Sequence, residues 1–120
     1  MTINELTEYR ATALRRMEYE QQELARREKS AWEVAGRAAA LLKEQFGARR
    51  VVVYGSLVHK GCFTLWSDID IAVWGISPSD TFRAMSAVMG IGKQIEVNMV
   101  DVNACRPSLL LVIERDGVEL

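Results

Sequence analysis

A chain of 120 residues with a formal net charge of −1 can bury roughly two-thirds of the surface it exposes when unfolded, which suits one compact domain. The near-neutral balance excludes a global electrostatic pull towards nucleic acid or a membrane surface. No apolar run approaches the roughly 18 residues that span a bilayer, and no signal-peptide core is present, so the sequence predicts a cytoplasmic protein. The charge divides unevenly: residues 1–50 hold ten Lys/Arg against eight Asp/Glu, and residues 51–120 hold five against eight. Cys62 and Cys105 lie far apart with no further Cys or His at ligand spacing, a pattern of two reduced thiols rather than a metal site.

From Asn4 to Phe46 the chain lacks proline, contains one glycine (Gly36), and is dense in Ala, Leu, Glu, Arg and Gln, all strong helix formers. Leu6, Tyr9, Ala13 and Met17 form one apolar stripe at helical spacing, and Trp32, Ala35, Ala39, Leu42 and Phe46 a second. The polar stretch from Glu18 to Lys29 between them predicts either a solvated segment or a break between two helices. Its mixed-charge run Arg26-Arg27-Glu28-Lys29 reads as a solvated helix face, and Gly47 is placed to end the helix. Residues 1–47 are thus predicted as an N-terminal helical extension and residues 48–120 as the domain that follows.

A β-branched run, Val51-Val52-Val53-Tyr54, leads into a Gly55-Ser56 turn. Eleven residues later Ser67-Asp68-Ile69-Asp70-Ile71-Ala72-Val73 alternates, so that Asp68 and Asp70 point to one face of a strand and Ile69, Ile71 and Val73 to the other. Two neighbouring carboxylates on an apolar strand repel each other and are costly to desolvate, a cost that a cation or a proton-transfer role compensates. The Gly-Ser turn offers backbone N–H groups and a hydroxyl suited to phosphate. In the connector, His59 and Lys60 read as exposed loop residues. Trp66 and Trp74 flank the aspartates, placed either to stack on a base or to pack.

Further on, Ser77-Pro78-Ser79-Asp80 is a helix start, followed by a stripe at Phe82, Met85, Val88 and Met89. Gly90-Ile91-Gly92 lacks the third glycine and the preceding strand of a dinucleotide fingerprint, which excludes that reading. Ile95 to Val100 is a third strand, with Glu96 and Asn98 on one face and Asp101 at its end. Pro107 opens a last helix over Ser108–Glu114, and Asp116-Gly117 turns the chain into a short tail. The order of elements predicts an α+β fold: a small mixed β-sheet with flanking helices, preceded by a long helical segment.

The Gly55-Ser56 turn, the Ser-Asp-Ile-Asp wording and the closing Ile-Glu-Arg-Asp-Gly-Val segment together resemble the DNA polymerase β-like nucleotidyltransferase superfamily. Within it they are most similar to the minimal nucleotidyltransferases that pair with HEPN-domain toxins. The resemblance covers residues 48–120, with a connector one residue longer than usual. It implies Mg2+-dependent transfer of AMP from ATP to a hydroxyl of the partner toxin, with two Mg2+ ions on Asp68 and Asp70. Gly55, Ser56 and Ser67 are then the nucleotide-binding residues. Related sequences carry a third aspartate where Asn98 stands, so Glu96, on the same face, is expected to complete a catalytic set with Asp68 and Asp70. A chain this small implies an acceptor presented by the partner protein, with no direct contact to nucleic acid, and a homo-oligomer through the N-terminal helix is a further expectation. Two other functions remain open at this point: an antitoxin acting by binding alone, and transfer to RNA or a small molecule.

Overall fold

The structure, a computed structural model, describes residues 1–120. One continuous helix, α1, runs the 44 residues from Ile3 to Phe46. Thr2 caps its start by accepting from the Glu5 N–H at 3.1 Å, and Gly47 ends it in the left-handed conformation at φ 69°, which glycine adopts without strain. The polar middle is therefore a solvated stretch of helix and not a break. The second stripe is rotated by a residue from the expected one: Ala31, Val34, Ala35, Ala38, Ala39 and Leu42 are buried, while Trp32 stays 36% exposed. Small alanines let the helix lie close against the sheet, and a tryptophan on that line has no room.

Strands β1 (Arg50–Tyr54), β2 (Ile69–Trp74), β3 (Val97–Asp101) and β4 (Val118–Glu119) form one sheet in the order β3-β2-β1-β4. β1 runs antiparallel to β2 and to β4, whereas β2 and β3 are parallel. The mixed sheet is as expected, and β4 is an addition: the tail after Gly117 turns back, with Val118 opposite Val53. Helix α2 spans Thr81–Met89 and α3 spans Pro107–Asp116. On α2 only Ala84 and Val88 are buried. Phe82, expected in its apolar stripe, is 81% exposed.

Strand alternation sends odd-numbered side chains to one face. There Val51, Val53, Ile69, Ile71, Val73 and Val97 join the buried face of α1 and the inner side of α2 in the main core. The second half of α1 thus shares one core with the sheet. The opposite face carries a smaller cluster of Val52, Tyr54, Ala72, Val102 and Ile113, covered by α3. Arg50 ties this side together. Its guanidinium pairs with Glu114 on α3 at 2.7 Å and with Glu119 on β4, and it stacks 4.4 Å from the centroid of Trp74, giving that tryptophan a packing role.

Candidate active site

On the face that α3 covers, Asp70 stays only half-buried. Asp70 sits at the start of β2, directly across from Tyr54 on β1 and from Asn98 on β3. Asp68 immediately precedes β2. The Asn98 amide lies between the two carboxylates, donating to Asp68 Oδ2 over a long 3.5 Å. Partial burial pushes the Asp70 carboxyl above its ordinary range; the Asn98 hydrogen bond pulls it back, and the charge on Asp68 pushes it up again. Burial, with Asp70 nearby, also raises the Tyr54 hydroxyl to about 12, so it stays protonated beside the acid pair.

Gly55 lies directly against Asp70. Its φ is +79°, and a Cβ there would stand 2.6 Å from Asp70 Oδ2. The missing side chain is what lets the carboxylate lie against the turn. The turn itself continues as one short 3-10 segment, Gly55–Val58, with Ser56 half-buried beside the aspartate strand.

Other expected residues take different places. The Ser67 hydroxyl closes its own loop, accepting from the Thr64 N–H and meeting the Thr64 hydroxyl, each at 2.9 Å. Glu96 precedes Val97, which pairs with Ile69, so it lies level with Asp68. It is exposed, and no three His, Cys, Asp or Glu side chains gather closely enough to hold a metal together. The residue between the aspartates is Asn98. Asp101 is used structurally, accepting from the Asn103 N–H at 3.0 Å and from the Thr81 hydroxyl at 3.4 Å. His59 reaches Asp116 at 3.8 Å. Trp66, two residues before Asp68, is 85% exposed.

Two residues that sequence reasoning missed shape the site. Tyr54, in sequence only the end of a strand, pairs directly with Asp70. Arg27 belongs in sequence to a run that suggests a solvated helix face. Its guanidinium instead donates to the Ser67 carbonyl at 2.9 Å and the Gln94 carbonyl at 3.2 Å, and it lies 5.9 Å from the Phe63 ring centroid. It thereby fastens α1 to the two loops that lead into Asp68 and β3. The signal was available, because position 27 falls on the helix face that carries Leu24 and Ala31. Arg27 also lines a groove of about 570 Å³ between α1, Leu65 and the Ile91–Ile95 loop. Neither aspartate lines that groove.

The donor set suits a hard divalent cation. Asp68 and Asp70 offer only carboxylate oxygens, and no Lys, Arg or His forms an ion pair with either. Their charge is uncompensated inside the chain. Mg2+ is commonly held in this manner, by one or two carboxylates together with water and substrate phosphates.

Neither a family model nor a curated protein sequence matches the chain. Solved structures do. A toxin–antitoxin complex of MntA and HpeT, in a variant with two aspartates two positions apart changed to glutamate, superposes with a TM-score of 0.59. The match covers 71% of this chain and 70% of that one at 17% identity. The same complex with a tyrosine-to-alanine change gives 0.57 over 71% and 69% at 21% identity. A protein assigned as a minimal nucleotidyltransferase gives 0.50 over 82% and 94% at 25% identity. The fold is therefore α+β of the nucleotidyltransferase type. More narrowly, it is the minimal nucleotidyltransferase fold that the Gly-Ser and Asp-x-Asp residues implied.

Proposed function

We propose that this chain is a Mg2+-dependent nucleotidyltransferase that moves AMP from ATP to a hydroxyl side chain of a HEPN-type toxin, acting in the cytoplasm as its antitoxin. The observation that carries the reading is the uncompensated pair Asp68 and Asp70 set against the Gly55 turn, where Asp70 Oδ2 occupies the space a Cβ would take. A protein that neutralised its partner by contact alone would have no use for two repelling, partly buried carboxylates. The MntA–HpeT complexes of similar fold support a toxin as partner, and the aspartates changed in one of them have the spacing of Asp68 and Asp70.

Asp68 and Asp70 would hold Mg2+, which when bound neutralises charge on the triphosphate and on the leaving group. The backbone N–H groups of the Gly55–Ser56 turn and the Ser56 hydroxyl hold phosphate oxygens, and Ser67 keeps the aspartate loop closed beside them. The acceptor oxygen attacks the α-phosphorus, the bond from that phosphorus to the β-phosphate oxygen breaks, and pyrophosphate departs with that electron pair. The acceptor proton passes to the carboxylate of Glu96, exposed and level with Asp68, while Asn98 donates to Asp68 beside it.

The test is incubation with ATP labelled at the α-phosphate and Mg2+, with and without the protein encoded by the neighbouring gene. Label is expected on the partner, absent with Asp68→Ala/Asp70→Ala and reduced roughly a hundredfold with Glu96→Gln, as for loss of a general base. Unlabelled partner under these conditions would contradict the proposal. Asn98, in place of a third aspartate, favours one second reading, neutralisation by binding alone. In that case the double variant would bind and neutralise the partner as wild type does.

A further inference from the structure

The first half of α1 stands away from the rest of the molecule. The chain measures 67 × 28 × 18 Å with a radius of gyration of 18.7 Å, against about 14 Å for a compact chain of this length. Residues 1–10 and 14–22 are all exposed, and contact with the main core begins at Leu24. A helix projecting alone has no packing to sustain it beyond its own propensity. Yet Tyr9 is 66% exposed and Met17 56% exposed, and with Leu6 and Ala13 they form an apolar stripe. At 100° per residue that stripe is in phase with Leu24, Ala31 and Leu42, so it continues the line by which α1 packs on its own sheet.

We propose that this stripe pairs antiparallel with the same segment of a second copy. The orientation follows from where the domain sits. It occupies the stripe side of α1 from Leu24 onward, so in a parallel pair two domains would compete for one space. In an antiparallel pair each projecting half lies along the free half of the other. The segment is self-complementary in that arrangement: Leu6 meets Met17, and Tyr9 meets Ala13, large against small, each twice by symmetry. On one flank of the stripe Glu5 meets Arg16, also twice, and neither has an ion-pair partner within its own chain. This overlap joins residues 3 to 20 over about 26 Å and ends before the first domain contact at Leu24. The pairing does not depend on the transfer chemistry, so it and the proposed activity succeed or fail separately.

The test is light scattering on the full chain over a concentration series. A dimer of twice the 13.5 kDa chain mass is expected at the upper end. Met17→Glu sets a charge against Leu6 twice in the symmetric pair and should weaken it at least about a hundredfold, as loss of an interface anchor does. Glu5→Arg should weaken it less, and adding Arg16→Glu should restore it. These side chains are exposed, so each variant should keep the wild-type circular dichroism spectrum. In a Cys62→Ser/Cys105→Ser background, Tyr9→Cys mixed with Ala13→Cys should oxidise to a mixed cross-linked pair. A monomer at every concentration overturns the proposal, as does a dimer indifferent to Met17→Glu or self-linking of Tyr9→Cys alone. A chain that stays monomeric and uses Met17 only to bind the toxin also overturns it, and would assign the stripe to that partner.

Discussion

On one face of the sheet Ile69, Ile71 and Val73 are fully buried beneath α1 and α2. On the other, Asp70 alternates with them and ends beside Asp68, Asn98 and Gly55, exposed enough to meet a ligand. One strand therefore does two opposed things at successive residues. Its odd positions supply apolar burial, while at its start the other face carries Asp70, beside Asp68, with negative charge that the chain itself leaves unneutralised. Period-two alternation keeps these demands from interfering: α1 and α2 stabilise the strand from behind, so the front can carry repulsion. The lesson is that the acid pair is tolerable because its scaffold is anchored through the opposite face.

Changes to the front should affect chemistry and changes to the back should affect folding. The largest expected effect is on the front. Asp68→Asn with Asp70→Asn should reduce transfer at least about a thousandfold, equivalent to roughly 4 kcal/mol of transition-state stabilisation, with no loss of melting temperature. Next comes the back: Ile71→Ala, at a site with no exposure, should cost about 3 kcal/mol and lower the melting temperature by roughly 10 °C. A variant that lost activity at the same temperature at which it unfolded would fit this division.

Gly55→Ala tests the point where scaffold and site touch. Its positive φ costs a side chain about 1–2 kcal/mol, and its Cβ would displace the Asp70 carboxylate. Stability should fall modestly while transfer falls far more, a disproportion visible when thermal denaturation and labelling are compared. The smallest effect concerns the charge itself. Because the folded protein raises the Asp70 carboxyl above 3.8, the folded state binds that proton more readily than the unfolded chain. Its favourable contribution is complete below the ordinary value and disappears as pH rises through the raised one. Asp70→Asn should thus melt higher than wild type at neutral pH without Mg2+, by less than about 1 kcal/mol given solvent screening. The difference should vanish in acid.

Much of this was legible in the residues. The Gly-Ser turn, the alternating aspartate strand and the facing Glu96 and Asn98 follow from local pattern, and the mixed sheet follows from the order of elements. What sequence alone left open depends on long-range contacts. Whether Glu18 to Lys29 broke the helix turned on what replaced the missing apolar face: strong helix propensity, with Leu24 on the core and Arg27 held by two loop carbonyls, keeps it continuous. Burial of Ala31 and not Trp32 reflects how closely α1 approaches the sheet. Strand β4 is too short to show a period and exists because Gly117 folds the tail against β1. The anchoring of Arg27 requires two carbonyls from loops 40 and 67 residues away, and only the folded chain brings them together.

The central claim is that Asp68 and Asp70 act by chemistry and not by contact. The measurement that tests it most directly is neutralisation of the partner toxin in cells co-expressing Asp68→Asn/Asp70→Asn, with complex formation measured in the same cells. The account predicts a variant that folds and still binds the toxin but leaves it active. A variant that protects as fully as wild type would contradict it.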